Sequence, residues 1–200
     1  MDLHAEFGDI DIYVFDQLLR GRIAPGMRVF DAGCGGGRNL IYLLRQGYAV
    51  CGNDADARAI AQAQSLAAAL APGRAHDFRV EPIEQTSFPD ASADVVLMSA
   101  VLHFARDAAH FEAMLRAAWK VLRPGGMCFA RLASTIGIEG QVNPIGAGRF
   151  RLPDGSDRFL VDAAAIESWT ARLGGTLIDP IKTTVVHEQR SMTTWVARRL

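Results

Sequence analysis

The sequence predicts a doubly wound α/β sandwich, a mostly parallel sheet with helices on both faces. Three observations carry this. Strand-like and helix-like patterns alternate from residue 27 to residue 175. The run Asp94-Val95-Val96-Leu97-Met98-Ser99 reads as a strand buried on both faces, as parallel strands are. A glycine cluster at residues 33–37 separates a short apolar run from a helical pattern, where a tight strand-to-helix turn is required. Two hundred residues, half of them hydrophobic, suffice for one domain with a full core, spanning 1–200.

The first strand and its loop read Val29-Phe30-Asp31-Ala32-Gly33-Cys34-Gly35-Gly36-Gly37-Arg38-Asn39, followed by Leu40, Ile41, Leu43 and Leu44 at helical spacing. Glycines let backbone approach a nucleotide-like ligand or adopt positive φ. A dinucleotide-binding G-x-G-x-x-G is one reading, but its third glycine would fall on Arg38, where a bulky side chain disturbs helix–strand packing. Asp31 also suits a ligand with cationic groups better than a pyrophosphate. Read as D-x-G-x-G-x-G, the stretch Asp31, Gly33, Gly35, Gly37 resembles motif I of the class I S-adenosylmethionine-dependent methyltransferases, in particular their small type-11 members.

Composition narrows the partners. The net charge of −1 supplies no basic field for nucleic acid or an anionic membrane, and no apolar run approaches membrane-spanning length. Cys34, Cys51 and Cys128 lack metal-ligand spacing and read as reduced thiols, so a cytoplasmic location and no metal are expected. The oligomeric state is not legible.

Taken in order, residues 9–20 form an amphipathic helix with Ile10, Val14, Leu18 and Leu19 on one side, broken by Gly21 and Pro25-Gly26. The resemblance implies that this helix closes over the cofactor; Tyr13 then either lines the active site or packs against it. The second strand, 48–52, ends at Asn53-Asp54. Asp54 lies about 20 positions after Gly33, where a carboxylate accepts from ribose hydroxyls in this type of fold. Capping of the next helix by Asp54 or Asp56 is the competing reading. That alanine-rich helix (57–70) stops at Pro72-Gly73 and precedes a third strand, 76–81. Phe88-Pro89-Asp90 resembles the end of the family's next motif, but Pro82 replaces its adenine-binding acid. The Ile83 amide and Glu84 become the adenine contacts.

The fourth strand ends at Ser99, and Val101-Leu102-His103-Phe104 resembles a family stretch at the methyl-donor cleft. His103 serves either as a general base or as a group that shapes the cleft. Helix 107–122 carries Phe111, Met114, Leu115, Ala118, Trp119 and Leu122 at helical spacing, with Asp107 as cap. Arg123-Pro124-Gly125-Gly126 resembles the family's turn into the fifth strand, 127–133. Residues 135–161 are glycine-rich and aperiodic, a lid-like insertion leaving that strand. Its Arg149, Arg151 and Arg158 either grip an oxyanion of the substrate or pair on a solvated surface. Asp162 caps a helix over 163–173, and strands at 176–187 and 191–198 form a closing hairpin.

The resemblance implies a Rossmann-like, seven-stranded sheet in the order 3-2-1-4-5-7-6 with one antiparallel strand. It implies in-line transfer of a methyl group from S-adenosylmethionine to a small-molecule acceptor. The cofactor contacts expected are Asp31, Gly33, Cys34, Gly35, Gly37, Asn53, Asp54, Ile83, Glu84 and Ser99. Tyr13 and His103 are the candidate catalytic groups, and Tyr13, His103, Arg149 and Arg151 the candidate acceptor contacts. Methylation of RNA or protein, an NAD(P)-dependent oxidoreductase and a non-catalytic cofactor-binding module are the alternatives.

Overall fold

The computed structural model describes residues 2–200. Its centre is a sheet in which β1 (Arg28–Ala32) pairs in parallel with β2 (Ala49–Asp54) on one side and β4 (Ala93–Ser99) on the other. β3 (Asp77–Val80) extends the sheet beyond β2, and β5 (Leu122–Ala133) extends it beyond β4. All these pairings are parallel. The crossovers α3 (Ile41–Arg45), α4 (Ala57–Leu70) and α5 (Ala108–Val121) follow the predicted patterns, and Asp56 and Asp107 cap the latter two. Phe111, Met114, Leu115, Ala118 and Trp119 are buried, so the apolar stripe of α5 is core.

The hairpin of β10 (Lys182–Val186) and β11 (Arg190–Arg199) closes the far edge, with β11 antiparallel to β5. The sequential order is 3-2-1-4-5, then β11, then β10, as expected, with one difference. An eighth strand, β9 (Gly175–Leu177), pairs with the far end of β11. The expected single strand over 176–187 is split at Ile178–Ile181. Pro180 has no N–H to give a ladder. Asp179 turns inward, where it accepts from Arg22 at 2.7 Å and from Gln17 at 3.2 Å.

Two further elements depart from the sequence patterns. A short helix, α1 (Leu3–Phe7), precedes the expected N-terminal helix, and α2 itself runs only over Ile12–Leu19 because Asp11 is its cap. The buried face of α2 comprises Val14 and Gln17, whereas Leu19 is 72% exposed. Gln17 is internal because Asp179 and Arg22 satisfy its amide. The insertion 135–161 is ordered rather than irregular. It holds a three-stranded antiparallel sheet of β6 (Asn143–Gly146), β7 (Arg149–Arg151) and β8 (Asp157–Phe159). Phe159 stacks on Phe111 of α5 at 4.8 Å, which fastens the insertion to the body. The last helix, α6 (Ala163–Arg172), starts at its cap Asp162 as expected.

Among the described residues no helix is long and apolar enough to cross a membrane.

Candidate active site

Three cavities adjoin at the carboxyl ends of β1, β2, β4 and β5. The first, about 180 Å³, is lined by Gly33, Asp54, Ile83, Glu84, Val101, Phe104 and His110 among others. The second, about 370 Å³, is walled by the glycine loop, Arg38, Asn39, Ser99 and Ala100. The third, about 390 Å³, lies beneath the insertion between His103, Arg131, Arg158 and Arg190. Gly33 borders the first two, and Ala100 borders the second and third. Ala100 has a φ of 61°, a left-handed conformation that costs an alanine about 1 kcal/mol or more. Its amide is anchored on the Arg131 carbonyl at 2.7 Å.

The glycine loop needs its glycines for two different reasons. Gly33 has φ 74°, and a Cβ there would lie 2.5 Å from Val101 Cγ2. Gly35 also has positive φ, but a Cβ there would meet nothing within 4 Å. The first glycine is required by packing, and at the second a side chain would point into open space. Asp54 accepts from the Gly35 amide at 3.0 Å and from the Asp56 amide at 2.9 Å. Asp56, not Asp54, caps α4. One carboxylate therefore ties the loop to the end of β2.

Asp31 lies under the loop, only 1% exposed, and its Oδ2 has no hydrogen-bond partner. Burial pushes its carboxyl up to about 7, with Asp54 adding to the rise and Arg38 opposing it. Asn53 is fully buried, and neither side-chain atom is partnered, while its carbonyl accepts from the Gly33 and Cys34 amides. Cys34 is buried, and desolvation holds its thiol well above the usual range, so it is not a nucleophile. On the adenine side expected from the sequence, Ile83 and Glu84 open a single 3₁₀ turn. Glu84 is held by His110 Nε2 at 3.0 Å, a residue of α5 that carried no signal in the sequence.

His103 is buried, and its Nδ1 accepts from the Ala133 amide at 3.3 Å. The neutral ring therefore carries its proton on Nε2. Burial, and then the guanidiniums of Arg158 and Arg131, lower its pKa to about 4. Tyr13 does not line these cavities. Its hydroxyl meets Thr184 Oγ1 at 2.7 Å, and the Arg131 guanidinium sits 5.4 Å from its ring centre. Arg149 and Arg151 also lie outside the cavity walls. Arg151 pairs with Asp157 across the small sheet, and Arg158, on the strand facing inward, lines the third cavity instead.

Asp11 organises the whole cluster, and the sequence marked it only as a polar residue of the N-terminal helix. Its side chain is fully buried. It accepts from Ser99 Oγ at 3.0 Å and from Arg131 Nη1 at 3.1 Å, with Arg38 Nη2 at 3.9 Å. Its amide donates to Asn39 at 2.9 Å. The cap of α2 is thus fastened to the glycine loop, β4 and β5 at one point. The sequence placed Asp11 within the helix and did not mark it as a cap; its cross-sheet partners come from residues 88 and 120 positions away.

Residues 30–130 match the family model described as a methyltransferase domain. The chain is 38% identical over 119 residues to a ubiquinone biosynthesis O-methyltransferase of Methylocella silvestris, covering 58% of this chain and 44% of that protein. It is 32% identical over 107 residues to an uncharacterized methyltransferase of Synechocystis sp., covering 52% and 46%. It thus spans less than half the length of these curated relatives. Among solved structures, an S-adenosylmethionine-dependent methyltransferase from Methanosarcina mazei superposes with a TM-score of 0.74 at 21% identity, over 92% of this chain and 97% of that one. A magnesium protoporphyrin IX methyltransferase from Synechocystis, solved with S-adenosylhomocysteine, gives 0.72 at 22% identity, over 95% and 81%. With the motif I loop, the strand order and the match over residues 30–130 in agreement, the chain belongs to the class I S-adenosylmethionine-dependent methyltransferase family.

Proposed function

We propose that this protein transfers a methyl group from S-adenosylmethionine to a small-molecule acceptor bound in the third cavity. The observation that carries the reading is the unpartnered Oδ2 of buried Asp31, on the strand that runs into the glycine loop, with Asp54 bordering a cavity beside that loop. A buried carboxylate without a donor fits a ligand that brings cationic groups. Asp31 and the glycine loop would hold the methionyl end, Asp54 the ribose, and Ile83 with Glu84 the adenine. Bound there, the cofactor supplies an electrophilic sulfonium methyl and its own leaving group. The protein's task is alignment and exclusion of water. Ala100, which borders both the loop cavity and the third cavity, marks the path between donor and acceptor.

His103 acts in this scheme as a hydrogen-bond donor through Nε2–H, since its Nδ1 is already engaged and its pKa is low. Tyr13 holds Arg131 and β10 in place rather than touching the acceptor. We read residues 1–200 as one unit, with the insertion 135–161 as the roof of the acceptor cavity and the cytoplasm as its location. The small outer cavity of about 390 Å³ favours a small acceptor over RNA or a protein surface.

A thermal-shift titration with S-adenosylmethionine, S-adenosylhomocysteine, NADH and NADPH tests the cofactor. At 100 times its dissociation constant a ligand adds about 2.7 kcal/mol, or about 5–10 °C for a chain of this size. The adenosyl ligands should give that rise and Asp54→Ala should abolish it. A rise with a nicotinamide alone, or with none of the four, would remove the basis of the reading.

A further inference from the structure

We propose that the acceptor is a small organic anion whose carboxylate, or an oxyanion of similar size, is held between Arg158 and Arg131 in the third cavity. This rests on the methyltransferase reading and names the chemistry of its second substrate. The charged residues of the cavity wall are Arg131, Arg158, Arg190 and Asp154, with His103 neutral. Asp154 is already spent. It pairs with Arg190 and accepts from the Ser156 amide at 2.8 Å and the Ser156 hydroxyl at 2.6 Å. The Asp154–Arg190 pair therefore cancels, Arg131 is partly balanced by buried Asp11, and Arg158 is the cation left to face the cavity.

Arg158 is the free one. Among the described residues its one hydrogen bond is from Nη1 to the Asp157 carbonyl at 2.8 Å, and its guanidinium lies 4.9 Å from the Phe104 ring centre. The Asp157 carboxylate beside it is taken by Arg151. Arg131 contributes a second guanidinium. Its Nη1 is held by Asp11, but its Nε is buried and has no partner. That Nε has almost no accessible surface, so Arg131 contributes to the cavity wall through its charge. The depressed pKa of His103, caused partly by these same two guanidiniums, reports the positive potential at that spot. A guanidinium fork is matched best by a planar carboxylate.

The site offers such an acceptor no general base. His103 presents Nε2–H, and Asp154 is held at about 2 by Ser156 and Arg190. An acceptor that arrives ionised at its reacting atom needs none. The carbon–sulfur bond breaks, the bond from methyl to acceptor forms with the acceptor's own electron pair, and the two opposite charges cancel without release of a proton.

The test uses the full chain saturated with S-adenosylhomocysteine and a panel of matched probes: benzoate against benzamide, phenylacetate against phenylacetamide, phenyl phosphate against phenol, and benzylamine. Binding is read by calorimetry. The acids should bind at least tenfold more tightly than their neutral partners, with benzylamine weakest. The carboxylate and phosphate arms decide which oxyanion is preferred. Arg158→Gln should erase the preference for anions while leaving S-adenosylhomocysteine affinity within twofold, and Arg158→Lys should retain part of it. Equal binding of acids and amides, no binding by any probe, or a preference that survives Arg158→Gln would overturn the proposal. Failure to bind S-adenosylhomocysteine at all would instead strike the methyltransferase reading.

Discussion

Asp31→Asn is expected to raise the melting temperature of the ligand-free protein at pH 8 and to remove its response to S-adenosylmethionine. Asp31 is buried with an unpartnered oxygen, and its pKa rises from 3.8 to about 7. The unfolded chain gives up this proton near pH 4, the folded chain only near pH 7. Above pH 4 the native state therefore holds more proton than the unfolded state, and the carboxylate destabilises the fold increasingly up to pH 7 and fully beyond it. At about 1.4 kcal/mol per unit the penalty is on the order of 2–4 kcal/mol. An amide of the same shape escapes it, so the variant should melt about 5–10 °C higher at pH 8. The difference should vanish at about pH 3 and below, where both states of the native sequence are protonated. The same substitution withdraws the anion that the cofactor's positive charge needs. In the unaltered protein, binding then draws the carboxyl into its ionised form. S-adenosylhomocysteine, which keeps the cationic amino group, should bind more weakly at pH 6 than at pH 8. Melting curves across pH, with and without ligand, check both halves. A variant that is less stable at pH 8 and still binds would refute the argument.

The second large effect is expected at Asp11. Asp11→Ala removes the cap of α2, worth about 1 kcal/mol, and leaves Arg131 and Ser99 without the carboxylate that they share. Arg38 and Arg131 are part exposed and regain water, so the loss stays below that of a fully buried pair. A total of about 2–4 kcal/mol is expected in urea unfolding. Because the Asp11 side chain joins α2 to β4 through Ser99 and to β5 through Arg131, residues 2–19 should also become more sensitive to protease in the folded protein. Asp11→Asn should recover the cap but not the ion pairs, and so lose about half as much. Unchanged proteolysis of the N-terminal segment in Asp11→Ala would show that the segment is held by other contacts.

These two aspartates divide what was legible from what was not. Asp31 announced itself, because a carboxylate between a strand and D-x-G-x-G-x-G spacing has a local meaning. The same holds for Asp54, placed by its distance along the chain from Gly33, and for the capping residues Asp56, Asp107 and Asp162, whose bonds reach only two or three residues ahead. The alternation of patterns and the buried apolar runs determined the layered sheet and the order of its elements, since a strand covered on both faces and an amphipathic helix each leave a local period.

Arg131 and His110 left no such trace, and nothing local singled out Asp11 or separated Arg158 from Arg149 and Arg151. Each acquires its meaning from a partner far along the chain, as His110 does from Glu84 and Asp11 from Ser99. The insertion misled for a related reason. Its three strands are three or four residues long, too short for alternation to register, and their order comes from pairing with one another and from Phe159 stacking on Phe111. By itself the sequence determined the family, the sheet and the position of the glycine loop, because those rest on contacts between near neighbours. Only the tertiary structure decided which arginines face the third cavity, which way His103 holds its proton and what closes the N-terminal helix down, because those depend on charges that meet only when distant strands are brought side by side.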